Sequence, residues 1–319
     1  MALDQGPVVQ SAILRNTLTR LRKENRLTQE QVAADLEWSP SKLIRVEGGR
    51  SSITKTDLDA LLTVYDVTDA KERAVLQELN KTAKESAWWY NYRNDISAPY
   101  LNFVGYEAGA SFIRQFVANV VPGLLQTKEY AEVLTASTEE AIKVAPVVNL
   151  RIQRQQELAK RSDRPFQYYV VDESVIRRHI GIKVDPAIMP RQLNYMADRV
   201  EQDDRLVLRV IPFSEGAHAG VNVAGAFTLL EFDGGLPDLV YLDTGRGSGA
   251  VITGDDPEVS NYRDIFELLL DPAMSEAASV AFMRKVAEDM SLRIAHLSAL
   301  ECFLWSNFSL RNDISLNSY

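Results

Sequence analysis

A chain of 319 residues, 46% hydrophobic and 25% charged, is too long for one small helical domain and too apolar to be disordered, so two folded domains are expected. The formal net charge of −9 argues against an anionic partner for the surface as a whole. Between Ser11 and Lys55, however, nine Lys or Arg stand against five Asp or Glu, and a basic segment on an acidic body suits salt-dependent nucleic-acid binding.

Leu14, Leu18 and Leu21 recur at helical spacing with Arg15, Arg20, Arg22 and Lys23 mostly outside the stripe, which gives a first helix. The stretch TQEQVAADLEWSPSKLIRVEGGR, Thr28 to Arg50, then reads as two short helices. Thr28 and Gln31 have capping-box spacing, with Leu27 and Val32 placed as a hydrophobic staple. Ser39 is read as the second cap, Pro40 takes the first helical position, Trp38 and Leu43 form the staple, and Gly48 with Gly49 ends the helix. Only Glu37 and Trp38 separate the two, the short turn of a helix-turn-helix.

At 100° per residue, Leu43 and Val46 face one side of the second helix while Ser41, Ile44 and Arg45 face the other, with Lys42 on the flank. In such a pair the residues after the turn reach base edges in the major groove, and Arg is well shaped to grip guanine. Arg45 is therefore the first candidate for base readout, beside Ser41 and Lys42. Ile44 is read either as a contact for a thymine methyl or as part of a protein dimer. Gln29 points toward a phosphate, and Arg50 and Lys55 toward the sugar-phosphate backbone. Glu47, on the inner flank, is expected to pair with an Arg of the first helix.

Thr54 opens a helix with Leu58, Leu61, Leu62 and Tyr65 inward, and Asp69 with Glu72 reads as a capping box before Val75, Leu76 and Leu79. Five helices complete an all-α domain over residues 1–84. Residues 85–106, which include WWYNYRNDISAPYLNF, read as an aromatic-rich connector. There Trp88, Trp89, Tyr90 and Tyr92 serve as an anchor or as a stacking platform for bases.

Residues 107–290 read as an α+β domain. A helix, a Pro122-Gly123 break and a helix capped by Thr127 are expected first, then the helical RIQRQQELAKR with a solvated Arg- and Gln-rich face. Strands are expected at Phe166 to Val171, Leu206 to Ile211, Ala226 to Phe232 and Asp238 to Asp243, with a further candidate at Ala250 to Thr253. Short Gly- and Pro-bearing loops suggest a mostly antiparallel sheet. Helices are placed at Glu173 to Ile180, Met189 to Glu201, Glu258 to Leu270 and Glu276 to Met290. Residues 291–319 form a C-terminal extension with a polar end.

The paired helices resemble the Cro and lambda-repressor class of helix-turn-helix proteins, the XRE type, over roughly residues 11 to 66. That resemblance implies a lambda-repressor-like domain in which Pro40, Ser41, Lys42 and Arg45 read bases and Gln29 matches the glutamine that opens the preceding helix. Further on, VPGLLQTKEYAEVL, the run of Arg151, Arg154 and Gln155, DESVIRRHIG, MPRQL, and VIPFSEGAHAG followed by FTLLEF are similar to the C-terminal domain of uncharacterised function in many actinobacterial XRE-type regulators. It implies a transcription regulator whose second domain senses or docks something, in some relatives beside a small partner protein. The candidate DNA contacts are thus Gln29, Ser39, Pro40, Ser41, Lys42, Ile44, Arg45, Arg50 and Lys55.

Catalytic chemistry is not legible. Cys302 is the single cysteine, so neither an intrachain disulfide nor a thiolate cluster forms; His179, His218 and His296 lack ligand spacing, and no metal or cofactor is expected. GRGSG at Gly245 to Gly249 lacks the P-loop ending and reads as a hairpin turn. MALDQGPVVQSAIL is no secretion signal and no apolar run reaches about 18 residues, so a cytoplasmic protein without a membrane span is expected. In the second domain, the SEGAHAG loop with Glu173, Arg177 and His218 is the candidate ligand site, although turn glycines, a surface histidine and an ion pair are the plainer reading. The expectation is a dimeric, sequence-specific DNA-binding regulator and not an enzyme, with duplex DNA and a small-molecule effector or small protein as partners. The alternative is an antitoxin-like or partner-controlled interaction module with autoregulatory DNA binding.

Overall fold

Local capping sets most helix starts in the first quarter of the chain. In the computed structural model, which describes residues 6–314 apart from 224, 246, 247 and 255, and side chains within 6–243 and 249–296, the first helices are α1 (Gly6–Glu24), α2 (Gln29–Asp35), α3 (Pro40–Glu47), α4 (Lys55–Val64) and α5 (Ala70–Thr82). Thr28 and Gln31 complete a reciprocal capping box, and Thr54 accepts from the Asp57 amide. Two expectations fail in detail. Ser39 occupies the N-cap position of α3, but its hydroxyl lies 3.2 Å from that of Ser41 and caps no amide; Pro40 sets the backbone in its place. Asp69 accepts from Lys71 N at 3.0 Å instead of forming a box with Glu72, and Val75 is 60% exposed while Leu76 turns inward.

Leu14 and Leu18 of α1, Val32 of α2, Leu43 and Val46 of α3, and Leu58, Leu61 and Leu62 of α4 close one core, with Leu27 and Trp38 packed at its edge. The fully buried leucines each contribute roughly 1.5–3 kcal/mol, which is why these short helices hold together. Asn25 ties α1 to the end of α4, its amide donating to the carbonyls of Leu21 (2.9 Å) and Tyr65 (3.0 Å).

The chain continues through a 3₁₀ turn (Trp88–Tyr92), α6 (Ala98–Glu107), β1 (Phe112–Val117), α7 (Lys128–Ala136) and α8 (Ala141–Lys160). Next come β2 (Phe166–Asp172), α9 (Glu173–Arg177), α10 (Ile188–Gln202), β3 (Leu206–Ile211), β4 (Ala226–Glu231), β5 (Leu239–Gly245), β6 (Ser248–Thr253), α11 (Pro257–Leu268) and α12 (Glu276–Ile314). Trp89 is 3% exposed and edge-on to Trp88. Arg246 and Gly247 of the GRGSG loop lie outside the described residues, as does the side chain of Cys302.

The sheet overturns two expectations. Its order is β3-β2-β1-β4-β5-β6 and it is mixed, not mostly antiparallel: β2 pairs parallel with β3, and β5 pairs antiparallel with β6. A parallel neighbour requires a crossover, and α10 supplies it between β2 and β3; the loop from β3 to β4 is therefore no hairpin, and those strands are not neighbours. β1 also occupies part of the stretch read as a helix from Glu107. Its FIRQFV sequence buries Ile113, Phe116 and Val117, positions on both faces of the strand, so alternation was lost and the apolar run resembled a buried helix.

Two units share the chain, and neither is one continuous segment. One gathers Met1–Arg114, Gln156–Phe166 and Phe227–Asp264; the other gathers Gln115–Gln155, Gln167–Ala226 and Ile265–Tyr319. In the first, Phe103 of α6 stacks on Tyr241 of β5 with ring centroids 4.1 Å apart. In the second, the Ser279 hydroxyl oxygen of α12 accepts from Val210 N of β3 at 3.0 Å, and Arg284 reaches Asp198 and Glu201 of α10, each at 2.7 Å. Among the described residues no helix is long and apolar enough to cross a membrane.

Candidate nucleic-acid interface

The turn between α2 and α3 depends on one unusual backbone position. Glu37 sits at φ 55°, in the left-handed region, which lets Trp38 N donate back to Ala33 O at 2.8 Å and redirects the chain into Ser39 and Pro40. Leu43 is fully buried and Val46 3% exposed, so the opposite side of α3 must face outward.

That outward side carries Ser39, Pro40, Ser41, Ile44 and Arg45, all exposed, with Arg50 just beyond the helix and Lys55 at the start of α4 also exposed. Ile44 is 45% exposed, an aliphatic side chain left without cover on an otherwise polar strip. The guanidinium of Arg45 has no hydrogen-bond or ion-pair partner among the described residues, and the same holds for Arg50 and the Lys55 ammonium. Three unneutralised cations beside short polar side chains form a surface suited to phosphates and base edges.

Two of the sequence candidates are held by the protein itself. Lys42 donates to Asp57 Oδ1 at 3.0 Å and lies 3.8 Å over the Trp38 ring, so its charge is largely answered within the domain. Gln29 donates its amide to Glu47 Oε2 at 2.7 Å, which fixes the side chain and leaves its backbone N–H at the start of α2. Sequence reading placed both residues on the right elements but missed these partners, because neither Asp57 nor Glu47 is near in sequence.

Behind the strip is a buried ion pair. Glu47 accepts from Arg22 Nε at 2.7 Å and Nη2 at 3.0 Å, while Arg22 Nη1 donates to Leu27 O at 2.9 Å. One guanidinium thus joins α1, the start of α2 and the end of α3. The Glu47 hydrogen bond holds the Arg22 pKa above the ordinary guanidinium value against the opposing effect of burial. Arg15 approaches the same helix end, donating to Ser11 Oγ at 3.0 Å and to Tyr106 OH at 3.5 Å. Gly49, at φ 72°, leaves room for it: a Cβ there would lie 2.7 Å from the Arg15 guanidinium.

The second candidate site resolves into two separate clasps. Glu173, 6% exposed, accepts from Arg177 Nε at 2.5 Å and from Phe213 N at 2.6 Å. His218 has Nε2 3.4 Å from Asp172 Oδ2, accepts from Gly220 N at 3.2 Å through Nδ1, and stands edge-on to Phe116. The Phe213–Glu173 and His218–Asp172 contacts pin the loop after β3 to the β2–α9 segment. Asp172 went unnoticed in the sequence, although its adjacency to Glu173 was the available signal.

A helix-turn-helix domain model matches residues 13–76, which contain α2, the turn and α3. The chain thus carries an N-terminal helix-turn-helix domain, which suggests DNA binding. A second model, the domain of unknown function DUF5753, matches residues 100–285, more than half of the sequence, and the chain belongs to that family. No curated protein and no solved structure matches it.

Proposed function

We propose that the chain is a sequence-specific transcriptional regulator in which α3 lies in the major groove and the C-terminal domain receives a signal. Arg45 is the base-reading residue, Ser41 and Ile44 border it, and Arg50 and Lys55 grip the flanking phosphates. Gln29 contributes its backbone N–H to a phosphate, and Lys42 fixes the position of α3 by its contact with Asp57. The observation that carries this reading is Arg45, unpaired among the described residues, on a helix whose other side is locked into the core.

A homodimer on a two-fold site multiplies the modest affinity of one such module. The C-terminal domain acts by binding and not by turnover. Selection of duplexes from a random pool by the purified full-length protein tests the proposal. Enrichment of a defined motif with two related halves is the expected result, and recovery of sequences at random would contradict it.

A further inference from the structure

The helical hairpin of α7 and α8 is built with a gap between its arms. Val133 and Ala136 on one arm and Ala141, Val144, Ala145 and Val148 on the other line a cleft of about 780 Å³. The spacing of the α8 residues, i, i+3, i+4 and i+7, is that of a core-facing stripe, yet only Val148, 2% exposed, is buried. Three alanines stand where larger side chains would have filled the space.

The volume is that of a site for a small organic molecule, about 300–1,000 Å³. The wall that α7 offers, from Lys128 to Ser137, is only about 13 Å long, too short to bed three turns of a docked helix. Polar groups are few: Asn149 offers an amide, and Ser137, whose hydroxyl donates to Leu134 O at 2.6 Å, offers its oxygen as an acceptor. Lys128 and Glu132 are both at the cleft and pair with each other at 3.7 Å, so the mouth carries no net charge. An ionised head group would meet like charge as readily as opposite charge there.

We infer that this cleft binds an uncharged, mainly apolar small molecule whose single hydrogen-bonding group is met by Ser137 or Asn149. The inference deepens the signal-receiving role proposed above and rests on that reading for its regulatory meaning, while the binding site itself stands on the cleft alone.

The test uses the full-length protein and the neutral fluorescent probe N-phenyl-1-naphthylamine. Saturable binding of one probe per chain is expected, weakened at least tenfold by Ala145→Phe and, from the facing arm, by Ala136→Phe, with thermal unfolding showing that both variants fold. The alcohol 1-decanol should displace the probe at lower concentration than decanoate does. Absence of saturable binding, binding that neither variant weakens, or stronger displacement by decanoate would overturn the inference. Probe binding that leaves DNA affinity unchanged would instead count against the regulatory reading and leave the site in place.

Discussion

Arg22 and Glu47 are joined by two hydrogen bonds of 2.7 and 3.0 Å, with side chains only 12% and 6% exposed. The pair fixes the far end of α3 to α1, so the helix that presents Arg45 is positioned by an interaction on its hidden side. Removing one partner leaves a buried charge without an answer, a loss of about 3 kcal/mol or more. Glu47→Leu and Arg22→Met should each lower the urea midpoint accordingly, and the double variant should recover most of the loss. Single variants indistinguishable from the parent would show that the pair contributes nothing.

Gly49 combines a left-handed backbone with a close approach of Arg15. Gly49→Ala should destabilise the protein by about 1–2 kcal/mol from the backbone alone, with a further loss from displacing the guanidinium. Adding Arg15→Ala should then have a smaller effect than it has in the parent, a non-additivity read from a double-mutant cycle in chemical denaturation.

Tyr65 is 2% exposed and its hydroxyl has no hydrogen-bond partner among the described residues; burial holds its pKa above the ordinary phenol value. Deleting a polar group that gains nothing in the fold is neutral or favourable. Tyr65→Phe should therefore melt at the same temperature as the parent or higher, and a clear drop would reveal an unseen partner.

Tyr130 is fully buried, and burial pushes its phenol up to about 12. An unfolded phenol ionises near pH 10, so between about 10 and 12 the folded chain keeps a proton that the unfolded chain has lost. Stability is untouched by this group below about pH 10 and falls with rising pH across that window. Tyr65 acts in the same direction. Near-ultraviolet titration should show a late-ionising tyrosine that Tyr130→Phe removes together with part of the alkaline loss of stability.

The helix-turn-helix pair was legible in the sequence because its information is local: Thr28 with Gln31, Pro40 at the helix start, and Leu43 with Val46 at helical spacing all act within a few residues. Glu47 as a structural partner of the first helix was also visible, since an acid on the inner flank of α3 lies within reach of the arginines of α1. What lay hidden depended on distance along the chain. Lys42 looked free until Asp57, fifteen residues on, was seen to hold it, and Gln29 until Glu47 was. β1 was misread since a strand buried on both faces shows no alternation, and the parallel pairing of β2 and β3 followed from a crossover through α10 that loop composition did not reveal. For Glu173 and His218 the partners Phe213 N and Asp172 were set by tertiary contacts alone.

The central claim is that the exposed side of α3 reads bases through Arg45. The most direct test compares full-length parent and Arg45→Ala protein on a selected duplex and on every single-base variant of it, at one fixed salt concentration. Discrimination should fall by about 1–3 kcal/mol at one base pair of each half-site and stay intact elsewhere. Equal losses at all positions, or none at any, would contradict the account.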